Sequence, residues 1–257
     1  MPLMPLMPLS LVIITKNAGE SIERCIRSVP FADEVLVIDS GSTDETVALA
    51  EAAGARVIQT HWRGFGPQKQ FACAQAKHDW VLSLDADEEL SPMAQQCVAK
   101  LKLSTPEAYA FARQNRLLGQ WLRHGEGFPD WNTRLFHREV GKWSDDKVHE
   151  RLLCTTRVQR LERAAVLMHR SAESLPDYVR KQIAYTQTQA ERQFAQGRRG
   201  SVVKLLGGPA LRFVKYYVFR LGFLDGLPGL VLAMIGARNA FYKQIFLFDL
   251  GRKINLS

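Results

Sequence analysis

Two carboxylates, Asp85 and Asp87, follow an apolar segment with the spacing Asp-x-Asp. The preceding residues, 81–84, have the composition of a buried strand, so the acids stand at a strand end. Acids this close to a core repel one another unless a positive charge lies beside them. Hard divalent cations prefer oxygen ligands and bridge carboxylates to phosphates. The pattern predicts that Asp85 and Asp87 hold Mg²⁺ or Mn²⁺ beside a phosphorylated ligand.

A second acidic strand end lies upstream, where Asp39 follows the apolar run 35–38 and precedes Ser-Gly-Ser-Thr-Asp. An isolated Asp-x-Asp often marks a solvated turn, and Asp39 could equally cap the next helix. The two strand ends together favour a different interpretation. If both strands belong to one parallel sheet, their carboxyl ends meet at one edge, where such sheets bind ligands. We therefore expect a metal and nucleotide site there.

The hydrophobic pattern supplies those strands. Strands are predicted at 11–14, 35–38, 56–59 and 80–84, and helices between them at 20–28, 47–53 and 67–76, the second of these helices starting with hydroxyl caps at Ser42 and Thr43. This alternation is typical of a parallel sheet in right-handed βαβ units. Further on, the pattern predicts a helix at 92–103, strands at 108–113 and 133–138, and an active-site loop at 118–130. From about residue 172 helix is expected throughout, capped by Ser174 and broken at 207–209 and 225–229.

Charge divides the chain. Residues 1–150 contain 16 Lys and Arg against 20 Asp and Glu, whereas residues 151–257 contain 18 against 6. An acidic first part and a basic second part suggest a catalytic part joined to one that contacts an anionic partner. The four cysteines are widely spaced, which argues against a disulfide framework or a zinc site.

The ends of the chain give two negative expectations. The opening Met-Pro-Leu repeat has no basic segment before it, and its prolines oppose a helix, so no signal peptide is expected. The charge-free stretch 226–237 is shorter than the roughly 20 residues of a spanning helix. The predicted organisation is a loose tail at 1–8, a catalytic domain at 9–172 and a basic, amphipathic helical extension at 173–257.

Three segments, 11–17, 35–46 and 80–88, resemble family 2 glycosyltransferases of the GT-A fold. The later segments 131–136 and 147–150 are similar to the lipopolysaccharide-core β-1,4-glucosyltransferase group, whose donor is UDP-glucose, and 220–230 is also similar to it. The resemblance implies a GT-A type α/β fold, a Rossmann-like and mostly parallel sheet with flanking helices. It also implies an inverting transfer of a hexose, with glucose expected, from a UDP-sugar to a lipid-linked saccharide.

Site residues follow from the resemblance, position by position. Thr15 and Asn17 would line the nucleotide pocket, and Asp39 would accept the imino N–H of uracil. Lys69 falls where the family often has a basic residue near the donor, although Gln70 replaces the usual following Asn, and a solvated helix cation is the alternative. Asp85 and Ala86 would also contact the donor.

Transfer also requires a base for the acceptor hydroxyl, within hydrogen-bond reach. The candidates are Asp130, Asp145, Asp146 and Glu150, and the family's Val-His-Glu placement favours Glu150, with Asp130 second. His149 is expected to pack beside the site, or to reach the metal together with Asp85 and Asp87.

Residues 211–221 combine an apolar helical stripe with aromatic residues and three cations, Arg212, Lys215 and Arg220. This composition suits an interfacial helix on an anionic bilayer, and packing on the catalytic domain is the alternative. Nucleic-acid binding is not expected, because no RNA-binding motif accompanies the charge. We expect a peripheral protein on the cytoplasmic face of the inner (plasma) membrane.

Two rival functions share parts of this pattern. A sugar-phosphate nucleotidyltransferase has a similar sheet and metal use, but it needs a glycine-rich phosphate loop that residues 15–19 lack. A non-catalytic, membrane-bound saccharide-binding module would not need the acids at 85 and 87.

Overall fold

The structure is a computed structural model that describes residues 7–146, 150–170 and 174–254. Its α-helices are Ile22–Arg27 (α1), Thr46–Ala52 (α2), Phe65–Gln75 (α3), Pro92–Lys100 (α4), Leu175–Ala195 (α5), Val202–Val214 (α6) and Gly226–Ile254 (α7). Its strands are Leu9–Thr15 (β1), Glu34–Asp39 (β2), Arg56–Gln59 (β3), Trp80–Asp85 (β4), Glu88–Leu90 (β5), Ala108–Leu117 (β6), Gln120–Trp121 (β7), Asp130–His137 (β8), Gly141–Trp143 (β9), Leu152–Cys154 (β10), Gln159–Arg160 (β11) and Val166–His169 (β12).

The chain forms two compact units. Unit 1 is the chain up to Arg113 together with Asp130–His169, and unit 2 is Gln114–Pro129 together with the chain from Arg170 onward. Unit 2 thus includes an internal segment, residues 114–129, as well as the C-terminal helices. The predicted domain limits, 9–172 and 173–257, assign that internal segment to the catalytic domain.

A mixed sheet is the centre of unit 1. Among the described residues its main path runs β3-β2-β1-β4-β8-β6-β12-β5. β1 pairs in parallel with both β2 and β4, and β2 pairs in parallel with β3, whereas β8 runs antiparallel to β4 and β6. The four predicted parallel strands and their order of alternation with helices are confirmed. Asp39 and Asp85 end strands on either side of β1, so both stand at one edge of the sheet.

The sheet is buried on both faces, which explains its unbroken apolar strands. Alternate residues of β1 enter different clusters: Leu11 and Ile13 pack with α1 and α4, whereas Val12 and Ile14 pack with α3. Ser91 caps α4 by accepting the Ala94 N–H at 3.2 Å, and Pro92 follows at the first helical position. The core therefore fixes the strand ends from both sides.

Two local predictions are wrong. α2 begins at Thr46 instead of being capped by Ser42 and Thr43, because these hydroxyl residues belong to a turn organised by Asp39. α6 runs through Pro209, where a break was expected. A proline inside a helix removes one backbone hydrogen bond and costs about 3 kcal/mol, and here the neighbouring glycines have open space around them. The predicted cap at Ser174 is confirmed, and it accepts the Asp177 N–H.

Unit 2 is mainly helical. α6 continues into a π-helical turn at Lys215–Phe219, and a 3-10 turn at Gly222–Asp225 precedes α7. In the part of the chain that the structure describes, no individual helix has the length and hydropathy needed to cross a bilayer. The pair Val202–Phe219 and Gly222–Lys253, bent by 72°, meets that length and composition test jointly. A helical region therefore follows unit 1 along the chain, as predicted.

Candidate active site

Three predicted donor-site residues meet at the edge of the sheet. Thr15, at the end of β1, lies opposite Asp39 of β2 in the parallel register. On the other side of β1, Ile14 lies opposite Asp85 of β4. The buried Asp39 carboxylate accepts the backbone N–H groups of Gly41 and Ser42, each at 3.0 Å, and the Ser42 hydroxyl. Asp39 thus fixes the turn after β2, and its predicted contact with uracil stays a prediction.

Asn17 joins the loop after β1 to that turn. Its backbone N–H donates to the Ser42 hydroxyl at 2.8 Å, and its side-chain oxygen accepts the Thr43 N–H at 2.8 Å. Asn17 has a φ of 52°, a left-handed conformation that Asn adopts more readily than most residues. The two loops that would surround a nucleotide are therefore held to each other. The buried Thr15 hydroxyl has no hydrogen-bond partner among the residues that the structure describes.

Asp85 stands between two cations. One carboxylate oxygen is 2.8 Å from Lys69 Nζ, and the other is 2.6 Å from Arg134 Nη2. Lys69, on α3, is almost completely buried, as is Arg134 on β8. Lys69 is therefore no solvated helix cation: it lies inside the site, beside the carboxylate with which it was predicted to share the donor.

Lys69 also binds the favoured base. Its Nζ is 2.8 Å from Glu150 Oε1, and it lies 4.7 Å from the centre of the Trp143 ring. Ion pairs with two acids and a cation–π contact together compensate the burial of the ammonium group. Glu150 and Asp85, which come from distant parts of the sequence, are thus brought to one nitrogen atom.

The series of ion pairs continues from Arg134 to Glu88, whose side chain is completely buried. Glu88 is 2.7 Å from Arg134 and 3.5 Å from Arg113, and it accepts the Asp85 N–H at 3.1 Å. Arg113 in turn is 2.7 Å from Asp130. Acidic and basic side chains therefore alternate through seven residues, a group that we call the charge chain: Glu150, Lys69, Asp85, Arg134, Glu88, Arg113 and Asp130.

The charge chain shifts the pKa values of its members. Burial opposes ionisation of Asp85, but Arg134 and Lys69 outweigh burial and hold the pKa of this carboxyl well below its usual range. Burial likewise opposes the charge on Arg134, yet Asp85 and Glu88 raise its pKa above the usual value. The same balance raises the pKa of Arg113, beside Glu88 and Asp130. Asp85, Arg113 and Arg134 are therefore held in their charged forms by their partners. By residue type, the charge chain contains four acids and three bases.

The expected metal set, Asp85, Asp87 and His149, fits this geometry in part. Among the described residues no group of three or more His, Cys, Asp or Glu side chains is arranged to hold a metal ion, and His149 lies outside them. Both Asp85 oxygens face cations. Asp87 is 47% exposed, and its carboxylate is 3.2 Å from Nε2 of His169, at the end of β12. The Asp87 carboxylate is a ligand type that Mg²⁺ or Mn²⁺ prefers, and the His169 imidazole beside it is a less usual one.

Sequence reasoning missed the partners of these acids. Arg134, Glu88, Arg113, Trp143 and His169 all contact predicted site residues, but none was singled out. Arg134 and Glu88 lie inside segments that carried the family resemblance, which is the signal that could have identified them. His169 lies on a strand that was not predicted, and β12 brings it beside the Asp-x-Asp turn by pairing with β5.

The three cations predicted to contact a membrane lie in unit 2. Arg212 pairs with Glu126, and Arg220 donates to the Phe128 carbonyl at 3.2 Å. Lys215 is exposed, and all three cations lie 5.3 to 5.5 Å from the centre of the Tyr216 ring. Two of the three predicted lipid contacts are therefore engaged within unit 2.

The sequence matches the model of glycosyl transferase family 2 over residues 10–156. A lipopolysaccharide core biosynthesis glycosyltransferase, LpsC of Rhizobium meliloti (strain 1021), is 32% identical over 248 residues, covering 93% of this chain and 91% of the relative. An uncharacterized glycosyltransferase of Rickettsia bellii (strain RML369-C) is 33% identical over 264 residues, covering 96% of this chain and 88% of the relative.

Among solved structures, glucosyl-3-phosphoglycerate synthase from Mycobacterium tuberculosis, in complex with Mn²⁺, UDP and glucosyl-3-phosphoglycerate, is 27% identical to this chain. That match covers 43% of this chain and 45% of the other, with a TM-score of 0.35. The family model and the two relatives agree with the mixed sheet and its acidic strand ends. The chain belongs to glycosyl transferase family 2 and has the GT-A type of α/β fold.

Proposed function

We propose that this protein is an inverting, metal-dependent hexosyltransferase that moves glucose from UDP-glucose to a lipid-linked saccharide such as the lipopolysaccharide inner core. Family membership gives the reaction class, and the name of the LpsC relative supports an acceptor in the lipopolysaccharide core. The observation on which the proposal depends is the charge chain at the end of β4, next to the loops of Asn17 and Asp39.

The charge chain suits a reaction that moves negative charge. The acceptor hydroxyl oxygen forms a bond to the anomeric carbon as the bond from that carbon to the UDP oxygen breaks. The hydroxyl proton passes to a protein carboxylate, and the electron pair of the broken bond leaves with UDP. A single displacement of this kind inverts the anomeric centre. Lys69 and Arg134, both buried and cationic, lie where they can stabilise charge developing on the diphosphate.

Glu150 is the proposed base. Its side chain is 18% exposed, and its ion pair with Lys69 places it two contacts from Asp85 along the charge chain. Asp130 is the alternative, since it is 40% exposed and paired with Arg113. Each carboxylate pairs with a cation, and either would accept the proton once that cation turns to another anion.

Asp87 and His169 would hold a divalent cation. When bound there, the cation would supply positive charge against the diphosphate, as a Lewis acid. Asp85 would contribute by holding Lys69 and Arg134, the two cations with which it pairs, beside the diphosphate.

A donor screen tests the proposal. The purified full-length chain is incubated with Mg²⁺ or Mn²⁺ and with UDP-glucose, UDP-galactose, UDP-N-acetylglucosamine, GDP-mannose or UTP plus glucose 1-phosphate. Thermal shift, release of UDP and release of pyrophosphate are followed. We expect UDP-glucose to stabilise the protein and to release UDP. Pyrophosphate release would instead identify a nucleotidyltransferase, and binding of a saccharide without any turnover would identify a binding module.

The proposal extends to location, on the cytoplasmic face of the inner membrane. Large apolar side chains of unit 2 are exposed, among them Val203 (81%), Leu206 (74%), Phe219 (78%) and Leu227 (65%). Between residues 192 and 248 the sequence has nine Lys and Arg and one acid, Asp225, and Asp225 is buried. An apolar surface with cations and without exposed acids suits an anionic bilayer.

Liposome co-sedimentation separates the two expected contributions to membrane binding, the burial of apolar side chains and the attraction of cations to anionic lipid. Burying one large apolar side chain contributes about 1.5–3 kcal/mol, and one cation near an anionic surface about 1 kcal/mol. Phe219→Ser should therefore weaken binding at least tenfold, and Lys215→Gln about fivefold. Met93→Ser is the control, since Met93 is an exposed apolar residue of unit 1. Equal losses for Phe219→Ser and Met93→Ser would contradict the membrane proposal.

A further inference from the structure

The segment Gln114–Pro129, called the excursion, connects Arg113 and Asp130, the residue pair at which the pairing of β6 with β8 ends. These two end residues face each other in the antiparallel register of β6 and β8 and form the 2.7 Å ion pair of the charge chain. The excursion itself belongs to unit 2, together with the C-terminal helices. The groups that fix its shape are therefore found in unit 2.

Asp225 fixes the excursion through its backbone. The carboxylate accepts the N–H of Arg123 at 3.0 Å, the N–H of His124 at 2.8 Å, and faces Nδ1 of the His124 ring at 2.9 Å. The Asp225 side chain is 4% exposed. A buried carboxylate is unfavourable unless its oxygens are hydrogen-bonded. Displacing residues 123 and 124 would therefore leave a buried charge without its donors.

Neighbouring groups reinforce this attachment. The Gly125 N–H donates to the Arg220 carbonyl at 2.9 Å, and the Arg220 side chain donates to the Phe128 carbonyl at 3.2 Å. Glu126 pairs with Arg212. We call Asp225 and these two arginines the latch. It contacts the excursion at five of the six residues from 123 to 128.

The latch explains the segment 220–230, which resembled the family but had no assigned role. A Cβ atom on Gly229 would lie 2.0 Å from the Gly222 carbonyl oxygen, and one on Gly222 would lie 2.6 Å from the Tyr216 carbonyl oxygen. Both neighbours are backbone atoms, so the chain must approach itself this closely for Asp225 to reach the excursion. Gly222 and Gly229 are required by this close packing. Asp225 is required because it accepts the backbone N–H groups of residues 123 and 124.

We infer that Asp225 is a positioning residue for acceptor transfer. It holds the excursion, whose last residue is bonded to Asp130, in one conformation. In its catalytic part the inference rests on the proposed function, because the latch would act through Asp130, which is the alternative base for the acceptor and the end of the charge chain opposite Glu150. Asp225 itself acts on the excursion, through residues 123 and 124.

Hydrogen exchange on the full-length chain tests the latch without any substrate. In Asp225→Asn, one of the two carboxylate oxygens becomes an amide donor that faces other donors. We expect exchange in peptides covering residues 122–128 to accelerate at least tenfold, with peptides covering β4 unchanged. His124→Ala removes the ring contact and keeps both backbone donors, so its effect should be smaller. Asp249→Asn is the matched control, because Asp249 is an acid on α7 that pairs with Lys253 at the surface.

Kinetics then separate positioning from stability. UDP-glucose and lipopolysaccharide truncated at the inner core are the probes. Per folded molecule, Asp225→Asn should lower kcat at least tenfold while the KM for UDP-glucose and the affinity for UDP change less than twofold. Unchanged exchange at residues 122–128 would overturn the latch. Accelerated exchange with normal kcat would overturn the positioning role. If Asp225→Asn does not fold, His124→Ala and Glu126→Gln apply the same two criteria.

Failure of the proposed function has a different signature. If the parent protein transfers no sugar to this acceptor, the donor and acceptor assignments fail, whereas the exchange measurement still decides whether Asp225 holds the excursion.

Discussion

Glu88→Gln removes a single negative charge from the centre of the charge chain. The Glu88 side chain is completely buried and has two close partners, Arg134 at 2.7 Å and the Asp85 N–H at 3.1 Å. Glutamine keeps the shape and one acceptor oxygen, but it loses the charge-assisted bond, and such bonds contribute about 1.5–3 kcal/mol. Arg134 keeps Asp85 as a partner, so the loss stays below the 3–5 kcal/mol typical of a buried charge left alone. We expect a destabilisation of about 2 kcal/mol.

Thermal and urea unfolding measure this loss. For a chain of this size about 2 kcal/mol corresponds to a fall in Tm of roughly 4–8 °C. Glu23→Gln is the control, because Glu23 forms an exposed pair with Arg27, and such pairs contribute about 0–1 kcal/mol. The double variant Glu88→Gln with Arg134→Met should lose less than the sum of the single variants, since the two groups share one contact. A Glu88→Gln protein as stable as Glu23→Gln would refute the assignment of Glu88 as a buried counter-charge.

Three further predictions concern single acids. Asp87→Asn should abolish transfer, keep the fold, and make UDP affinity independent of Mg²⁺ in calorimetry; affinity that still rises with Mg²⁺ would exclude Asp87 as a ligand. Glu150→Gln should lower kcat by about 10²–10⁴ with donor affinity little changed, and a normal kcat, with loss in Asp130→Asn instead, would transfer the base assignment to Asp130. Burial raises the pKa of Glu34, but hydrogen bonds from Ser10, Arg56 and the Lys77 amide lower this pKa by more than burial raises it. The net shift is therefore downward. A folded-state pKa below the unfolded value stabilises the protein at higher pH, and this stability is lost as pH falls below about 4.3. Unfolding measured between pH 6 and 3 should therefore depend less on pH in Glu34→Gln.

The parallel half of the sheet was predictable because its signal is local. Each of the first four strands has a short apolar run between turn residues, and β1, β2 and β4 are buried on both faces, so composition identifies them without reference to partners. β5 and β12 were not predictable in this way. β5 has three residues, two of them glutamates, and it exists because Leu90 and Glu88 pair with residues of β12 nearly eighty positions later.

The same distinction applies to the site. Asp39, Asp85 and Asp87 were recognised because strand ends place acids at a known edge. The two cations beside Asp85 come from α3 and β8, and no spacing in the sequence relates Lys69 to Glu150 or Arg134 to Asp85. Arg113 and Asp130 meet only because β6 and β8 pair in one register. A shift of β8 by one residue against β6 would turn Asp130 to the face opposite Arg113.

The basic C-terminal region shows why composition alone does not reveal the partners of charged residues. Arg212, Lys215 and Arg220 have helical spacing beside an apolar stripe, which is the pattern of an interfacial helix. A long cationic side chain can also turn back and bind an acid or a carbonyl of its own unit. Arg212 and Arg220 do so, because Glu126 and the Phe128 carbonyl are presented to them by the excursion. The apolar residues have no such alternative, since an exposed Phe219 or Leu227 gains only by leaving water. Membrane affinity should therefore depend more on these apolar residues than on the arginines, and the arginines should instead determine how firmly the excursion is held.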